Sequence, residues 1–259
     1  MQKSGQFKKY SNYYDLIYKD KDYQKESEFI LNIIKHYGNK QSRGGLLSLG
    51  CGTGTYETIL LPNFKKIIGV DRSEEMIRLA DQKIVNLKTK NLEFKIGDVR
   101  KFRTRQKFDT AMAMFNIAGY QITNGDLEKF IKTASFHLKE DGLFLFDAWY
   151  QPAVFKHRPT DKIKEIQLAD GVSIVRKTTQ TLDLERSVLD IRFEVGEFKN
   201  GKAVQSMVER HPMRFFTINE TAYFLEKGGF KLVKICKFTD LNTPMSEDEW
   251  NMFVIAKKV

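Results

Sequence analysis

The stretch Leu46–Glu57, LLSLGCGTGTYE, runs from a short apolar segment through glycines at 50, 52 and 54 into the start of a helix. Glycines let the backbone turn at positive φ and come close to a ligand, and the helix N-terminus that follows aims N–H groups at it. Spacing decides which ligand. A phosphate-binding P-loop needs GxxxxGK[ST], and no lysine follows Gly54. A dinucleotide fingerprint needs GxGxxG, and its third glycine position is Thr55. What remains is GxGxG.

The surroundings place this loop in an alternating α/β pattern. Apolar residues Phe29, Ile30, Ile33, Ile34 and Tyr37 recur at helical spacing before Gly38. Strands are expected at 46–49, 66–70, 91–96, 108–115 and 142–147, with helices at 53–61, from Ser73 to about Leu87, and at 126–138. Strands separated by helices of this length indicate βαβ units and a parallel sheet. Past Asp147 the rhythm becomes short strands joined by the turn dipeptides Asp170-Gly171 and Asn200-Gly201, with Ile191, Phe193 and Val195 alternating with polar or small neighbours. A helix at 217–227, closed by Gly228-Gly229, and strands at 230–238 and 250–258 complete the chain. The organisation expected is an N-terminal helical cover (1–40), an α/β core (41–150 and 217–259), and an antiparallel β insertion (151–216) over the active site.

The second strand ends at Asp71 and the third at Gly97-Asp98. Carboxylates at the carboxyl edge of a parallel sheet can accept hydrogen bonds from ribose hydroxyls and from an adenine amino group. A ribose and an adenine bound with no loop for phosphates suit S-adenosylmethionine.

Composition bounds the alternatives. The chain has 259 residues, 41% hydrophobic and 29% charged, enough for a sizeable core in one domain with an insertion. No apolar run is long enough to cross a membrane, and the N-terminal segment lacks the apolar stretch of a secretory signal. Cys51 and Cys236 are the two cysteines, without metal-ligand spacing, so no metal is expected and a reduced, cytoplasmic setting is. The net charge of +10 comes from lysines spread along the chain, which fits a solvated surface better than a nucleic-acid interface. Methylases of exocyclic base amines carry [DNS]PP[YFW] after the fourth strand, whereas this chain has FNIAGY.

On the GxGxG loop, the strand-two Asp71 and the GD pair, the sequence resembles the class I S-adenosylmethionine-dependent methyltransferases over roughly residues 40–150 and 217–258. The resemblance implies a Rossmann-like, seven-stranded, mostly parallel sheet with an antiparallel insertion after strand five. It implies that Gly50, Cys51, Gly52 and Gly54 border the methionine part, Asp71 with Arg72 the ribose, and Gly97, Asp98 and Val99 the adenine. Met76 would lie beside the adenosine, Phe115 and Asn116 near the sulfonium, and Tyr14 among the cofactor-binding residues on the substrate side. Family members usually carry an acidic residue two positions before the first glycine; here that residue is Ser48.

Segments YYDLIYKDKDYQKE (13–26), GDVRKF (97–102), MFNIAGY (114–120), FDAWYQPAVF (146–155) and RFFTINETAYFLEKGGF (214–230) are similar to nucleotide-linked amino-sugar N-methyltransferases of macrolide deoxysugar pathways. This narrower resemblance implies N-methylation of a small acceptor, a nucleotide sugar, with Trp149, Tyr150 and Arg214 on the substrate side and a homodimer formed through the insertion. Tyr14, Tyr120 and His211 are the candidate catalytic residues, with Asp147 a further candidate base. The segment LNTPMSEDEWNMFVIAKK (241–258) departs from the glycine- and arginine-containing turn of those enzymes and resembles methyltransferases of surface-polysaccharide clusters. Other readings are methylation of another small metabolite at N or O, an RNA methyltransferase, and a non-catalytic cofactor binder.

Overall fold

The computed structural model describes residues 11–39, 42–87 and 89–259; the first ten residues of the expected N-terminal cover lie outside them. Seven strands form the main sheet: β1 (Gly45–Leu49), β2 (Lys66–Asp71), β3 (Leu92–Ile96), β4 (Phe108–Ala113), β5 (Leu138–Trp149), β10 (Phe230–Lys237) and β11 (Asn251–Lys258). Their order is β10-β11-β5-β4-β1-β2-β3. Strands β3, β2, β1, β4 and β5 are parallel, and β11 runs antiparallel to both β5 and β10. The central β4 is buried at every position, as expected of a strand covered on both faces.

Helices cover the two faces. On one lie α2 (Tyr23–Tyr37) and α3 (Thr55–Leu60), packing Phe29, Ile30, Ile33, Ile34, Tyr56 and Leu60 against Leu46, Ile67, Met112 and Phe253. On the other, α5 (Asn124–His137) and α7 (Ile218–Lys227) bring Phe130, Ile131, Phe224 and Leu225 onto Ile68, Phe144, Phe146 and Val254. Helix starts follow the sequence signals: Asp22, Ser73, Thr123 and Thr217 each accept a backbone N–H of the first turn, the second opening α4 (Glu74–Ile84).

Several boundaries differ from the sequence reading, β5 for one being longer than the expected 142–147, and two differ for a reason visible in the backbone. Helix α3 begins at Thr55 because Gly54 is left-handed at φ 74°. Strand β4 stops at Ala113 because Phe115 and Asn116 both adopt positive φ, 68° and 56°, and turn the chain off the sheet.

Beyond β5, a short α6 (Gln151–Lys156) leads into a four-stranded antiparallel sheet, β6 (Lys162–Gln167), β7 (Val172–Asp183), β8 (Val188–Lys199) and β9 (Lys202–Arg214). The expected short strands are in fact long: β7 and β8 have 12 residues each and β9 has 13. Asp170-Gly171 and Asn200-Gly201 do form the turns, with φ of 57°, 68°, 50° and 75°, the paired positive φ of tight hairpins. The sheet leaves and rejoins the core at one place, where Tyr150 and Phe216 form a bridge. Helix α1 (Ser11–Ile17) fills the space between this sheet and the glycine loop, its Tyr13 and Ile17 packing on Ile166, Ile174 and Val195.

Candidate active site

A cleft of about 340 Å³ opens at the carboxyl edge of the parallel strands, between the core and the insertion. The loop after β1 is its floor. Gly50 and Cys51 donate backbone N–H to the Val70 carbonyl at 2.7 and 3.0 Å, and Gly54 N–H closes the turn on Cys51 at 3.0 Å. All three glycines have positive φ, and their surroundings differ usefully. A Cβ at Gly50 would strike Ile117 at 2.3 Å and one at Gly54 would strike Phe94 at 2.4 Å, whereas one at Gly52 would meet nothing within 4 Å. The backbone at Gly52 therefore faces open cleft, the close approach that a bound group needs.

Asp71 is held from two sides: Gly52 N–H reaches one carboxylate oxygen at 3.0 Å and Ser73 N–H the other at 2.8 Å. Burial raises its pKa against the opposing pull of these two N–H groups. Each oxygen keeps a lone pair for a further donor, which is the arrangement two vicinal hydroxyls require. Asp98 lines the same end, but Arg100 grips both its oxygens, at 2.6 to 3.2 Å, and also bridges to Asp126 at 3.0 Å. Partial burial would raise the Asp98 pKa; the Arg100 fork outweighs it and holds it low. Met76 and Val99 line the cleft beside them.

The opposite wall is aromatic. Tyr14 and Tyr18, tilted against each other, both meet Phe115 edge to face, the Tyr18 and Phe115 rings 4.9 Å apart. Lys21 sits 4.8 Å from the Phe115 ring, paired with Glu26, which also accepts from the Tyr56 hydroxyl. Asn116 donates its backbone N–H to both oxygens of Asp147 at 3.0 Å, while its buried side-chain amide has no partner. Burial pushes Asp147 up to about 6, tempered by that N–H.

The roof comes from the insertion. Tyr120 lies in a 3-10 turn at Ala118–Tyr120, and its hydroxyl is 2.9 Å from Nδ1 of His211 on β9. Nε2 of His211 lies 3.1 Å from Glu209, two residues back on the same face of the strand. With Glu209 as a carboxylate, Nε2 carries the proton and Nδ1 accepts from Tyr120, a tautomer assigned from the network. Burial keeps the Tyr120 phenol well above its usual pKa. Trp149 completes this end and packs on Trp250 at 5.8 Å.

Tyr14, Gly50, Cys51, Gly52, Asp71, Arg72, Met76, Asp98, Val99, Phe115, Asn116, Tyr120, Trp149 and His211 thus converge on one cleft. Four expected site residues stand elsewhere, the first being Gly54, which turns the loop into α3 and packs under Phe94. Gly97 packs under Phe102 and Val70 and positions Asp98 from outside the wall. Tyr150 turns into the core, its N–H on the Trp250 carbonyl at 2.8 Å. Arg214 faces the helices: it pairs with Glu220, donates to Asn124 at 2.7 Å and lies over Phe216 and Phe224, so it anchors the last strand of the insertion. The sequence reading also missed Glu57, Glu209, Tyr18 and Lys21. Glu209 carried a usable signal, since residues i and i+2 of a strand share a face.

The donor set fits S-adenosylmethionine: an open glycine backbone, a carboxylate with spare lone pairs, and unpartnered buried polar groups at Asn116 and Glu57 in the wall. Among the described residues, no group of three or more His, Cys, Asp or Glu is placed to hold a metal ion.

Comparison with known proteins agrees with this geometry. Residues 46–142 match a family described as a methyltransferase domain. A dTDP-3-amino-3,4,6-trideoxy-alpha-D-glucopyranose N,N-dimethyltransferase of Streptomyces venezuelae is 25% identical over 209 residues, covering 80% of this chain and 84% of the relative. A putative methyltransferase of Bacillus subtilis, YqeM, is 27% identical over 83% of this chain and 85% of its own length. The fold matches a crystal structure of an S-adenosylmethionine-dependent methyltransferase from Clostridium acetobutylicum with a TM-score of 0.80 at 23% identity, over 95% of this chain and 96% of that one. From the fold, the cleft and these matches together, the chain is an S-adenosylmethionine-dependent methyltransferase of class I architecture.

Proposed function

We propose that the enzyme transfers a methyl group to the amine of a nucleotide-linked amino sugar. The observation that carries this reading is the buried Tyr120–His211–Glu209 chain set into the roof, opposite the glycine loop. The dTDP-amino-sugar dimethyltransferase relative supports the acceptor class. S-adenosylmethionine supplies a methyl group already activated on its sulfonium, so the protein's work is alignment, exclusion of water and handling of one proton.

In this reading Asp71, with Arg72 and Met76 beside it, seats the ribose and adenosine, Asp98 and Val99 border the adenine, and Gly50, Cys51 and Gly52 receive the methionine end. Tyr14, Phe115 and the Asn116 backbone shape the sulfonium side, and Trp149 with Trp250 walls the acceptor. The attacking amine must be neutral and sheds a proton once it is alkylated. Tyr120, a phenol throughout because burial disfavours its anion, accepts that proton while passing its own to Nδ1 of His211. Glu209 stabilises the imidazolium that results. Dimerisation belongs to the same reading; the outer edge of β9 and its exposed Val204 and Val208 are the surface it would use.

The test is incubation with labelled cofactor and dTDP-linked 3-amino and 4-amino sugars, read by mass spectrometry for a gain of CH₂ per methyl. Transfer to the amino sugars and not to their hydroxyl counterparts supports the proposal. Transfer to neither, with cofactor binding intact, would falsify the acceptor assignment.

A further inference from the structure

The glycine loop brings together two side chains that flank it in sequence. Ser48 is the fourth residue of β1 and Glu57 lies in the first turn of α3, and both line the methionine end of the cleft. Glu57 is 1% exposed, and neither of its carboxylate oxygens has a hydrogen-bond partner among the described residues. The Ser48 hydroxyl beside it eases the burial of the charge without completing a bond to either oxygen. A carboxylate in that state is destabilising unless a cation or donors reach it.

Among the described residues none completes a hydrogen bond to the Glu57 carboxylate. Lys83, whose charge also reaches Glu57, spends its ammonium on Thr53, Thr55 and Asp15 at 2.7 to 2.9 Å. The other cleft acids are engaged: Asp71 by Gly52 and Ser73, Asp147 by the Asn116 N–H, Asp98 by Arg100. An acceptor left open in the wall of the same cleft suits a ligand that ends in an ammonium group.

We infer that Glu57 binds the α-ammonium of the cofactor's methionine moiety, supplying from α3 the negative charge that β1, with serine at 48, does not supply. The inference rests on the cleft holding S-adenosylmethionine. It makes Glu57 the group by which the enzyme tells nucleosides bearing an amino-acid chain from those without one.

The test is calorimetric titration of the purified protein with S-adenosylhomocysteine, which keeps the ammonium, and 5′-methylthioadenosine, which lacks it. Glu57→Gln is expected to weaken S-adenosylhomocysteine by about tenfold or more and 5′-methylthioadenosine by less than about twofold. Because Ser48 and Glu57 are adjacent, Ser48→Asp in the Glu57→Gln background is expected to restore binding of S-adenosylhomocysteine to within about threefold of wild type. Circular dichroism verifies that each variant is folded. Equal losses for both ligands, or none for either, overturn the ammonium assignment. Wild-type protein that binds neither ligand overturns the cofactor reading itself, and the inference with it.

Discussion

Asp71 and Glu57 are both carboxylates on the cleft wall, yet only one was legible. Asp71 sits where a strand ends in a sheet of known polarity, so its role followed from topology. Glu57 sits in the first turn of a helix, where an acidic residue ordinarily faces water and favours the helix dipole; its burial arises only when α3 docks against Ser48. The two predict different behaviour. In the proposed reading Asp71→Ala removes a charged acceptor from two ribose hydroxyls, at about 1.5–3 kcal/mol each, and it frees the Gly52 N–H that Asp71 holds. Calorimetry should show a strong loss of both S-adenosylhomocysteine and 5′-methylthioadenosine, since both carry the ribose. Glu57 acts on stability as well. Burial lifts it from 4.5 to about 7, with Asp71 adding to the effect and Ser48 and Lys83 opposing it. The folded protein keeps a proton there that the unfolded chain gives up, so stability drops as pH climbs from about 4.5 to about 7 and then levels. Ligand-free Glu57→Gln is therefore expected to be more stable than wild type at pH 8, by up to about 3 kcal/mol, and nearly equal to it close to pH 4.5. Thermal unfolding at both pH values checks this. A variant that is steadier when empty and poorer at binding is the usual mark of a strained functional site.

At the scale of elements, the sequence patterns told strands from helices reliably where the sheet is parallel, because four or five consecutive buried apolar residues bounded by caps leave little choice. The insertion was legible in kind and not in extent. Its glycine turns announce hairpins, but the length of β7, β8 and β9 depends on what they cover. Phe115 and Asn116 hid their turn altogether, since neither is a glycine and their positive φ is imposed by Asp147 and the neighbouring aromatic wall. Arg214 was expected near the acceptor from its position in a recognised segment; its partners on α5 and α7 put it to structural use. Arg214→Met should accordingly lower stability by about 1–3 kcal/mol, by leaving Glu220 without its cation. Urea unfolding measures the loss, and cofactor affinity in the folded variant should remain within about twofold of wild type.

For the whole molecule, alternating elements foretold a parallel sheet, and the glycine loop foretold the edge at which the cleft opens. The position of α1 was not foretold, because a seven-residue amphipathic segment can dock on several apolar surfaces. Its placement has a kinetic consequence. Asp15 of α1 accepts from Thr53 at 2.7 Å and pairs with Lys83 at 2.7 Å, while the other side of α1 packs on the insertion. One short helix is thus fastened both to the glycine loop and to the insertion sheet, which in the proposed reading hold the cofactor and cover the acceptor. If the nucleoside leaves past α1, these contacts must open first, and the expected order is methylated product before S-adenosylhomocysteine. Asp15→Asn would loosen one fastening, worth up to about 1 kcal/mol for a half-exposed pair, and speed nucleoside release about threefold to fivefold in stopped-flow. In steady state the signature is competitive inhibition by S-adenosylhomocysteine against the cofactor and noncompetitive inhibition against the acceptor. An acceptor able to take more than one methyl group would then have to dissociate and return between transfers, so partly methylated intermediates would accumulate early in the reaction.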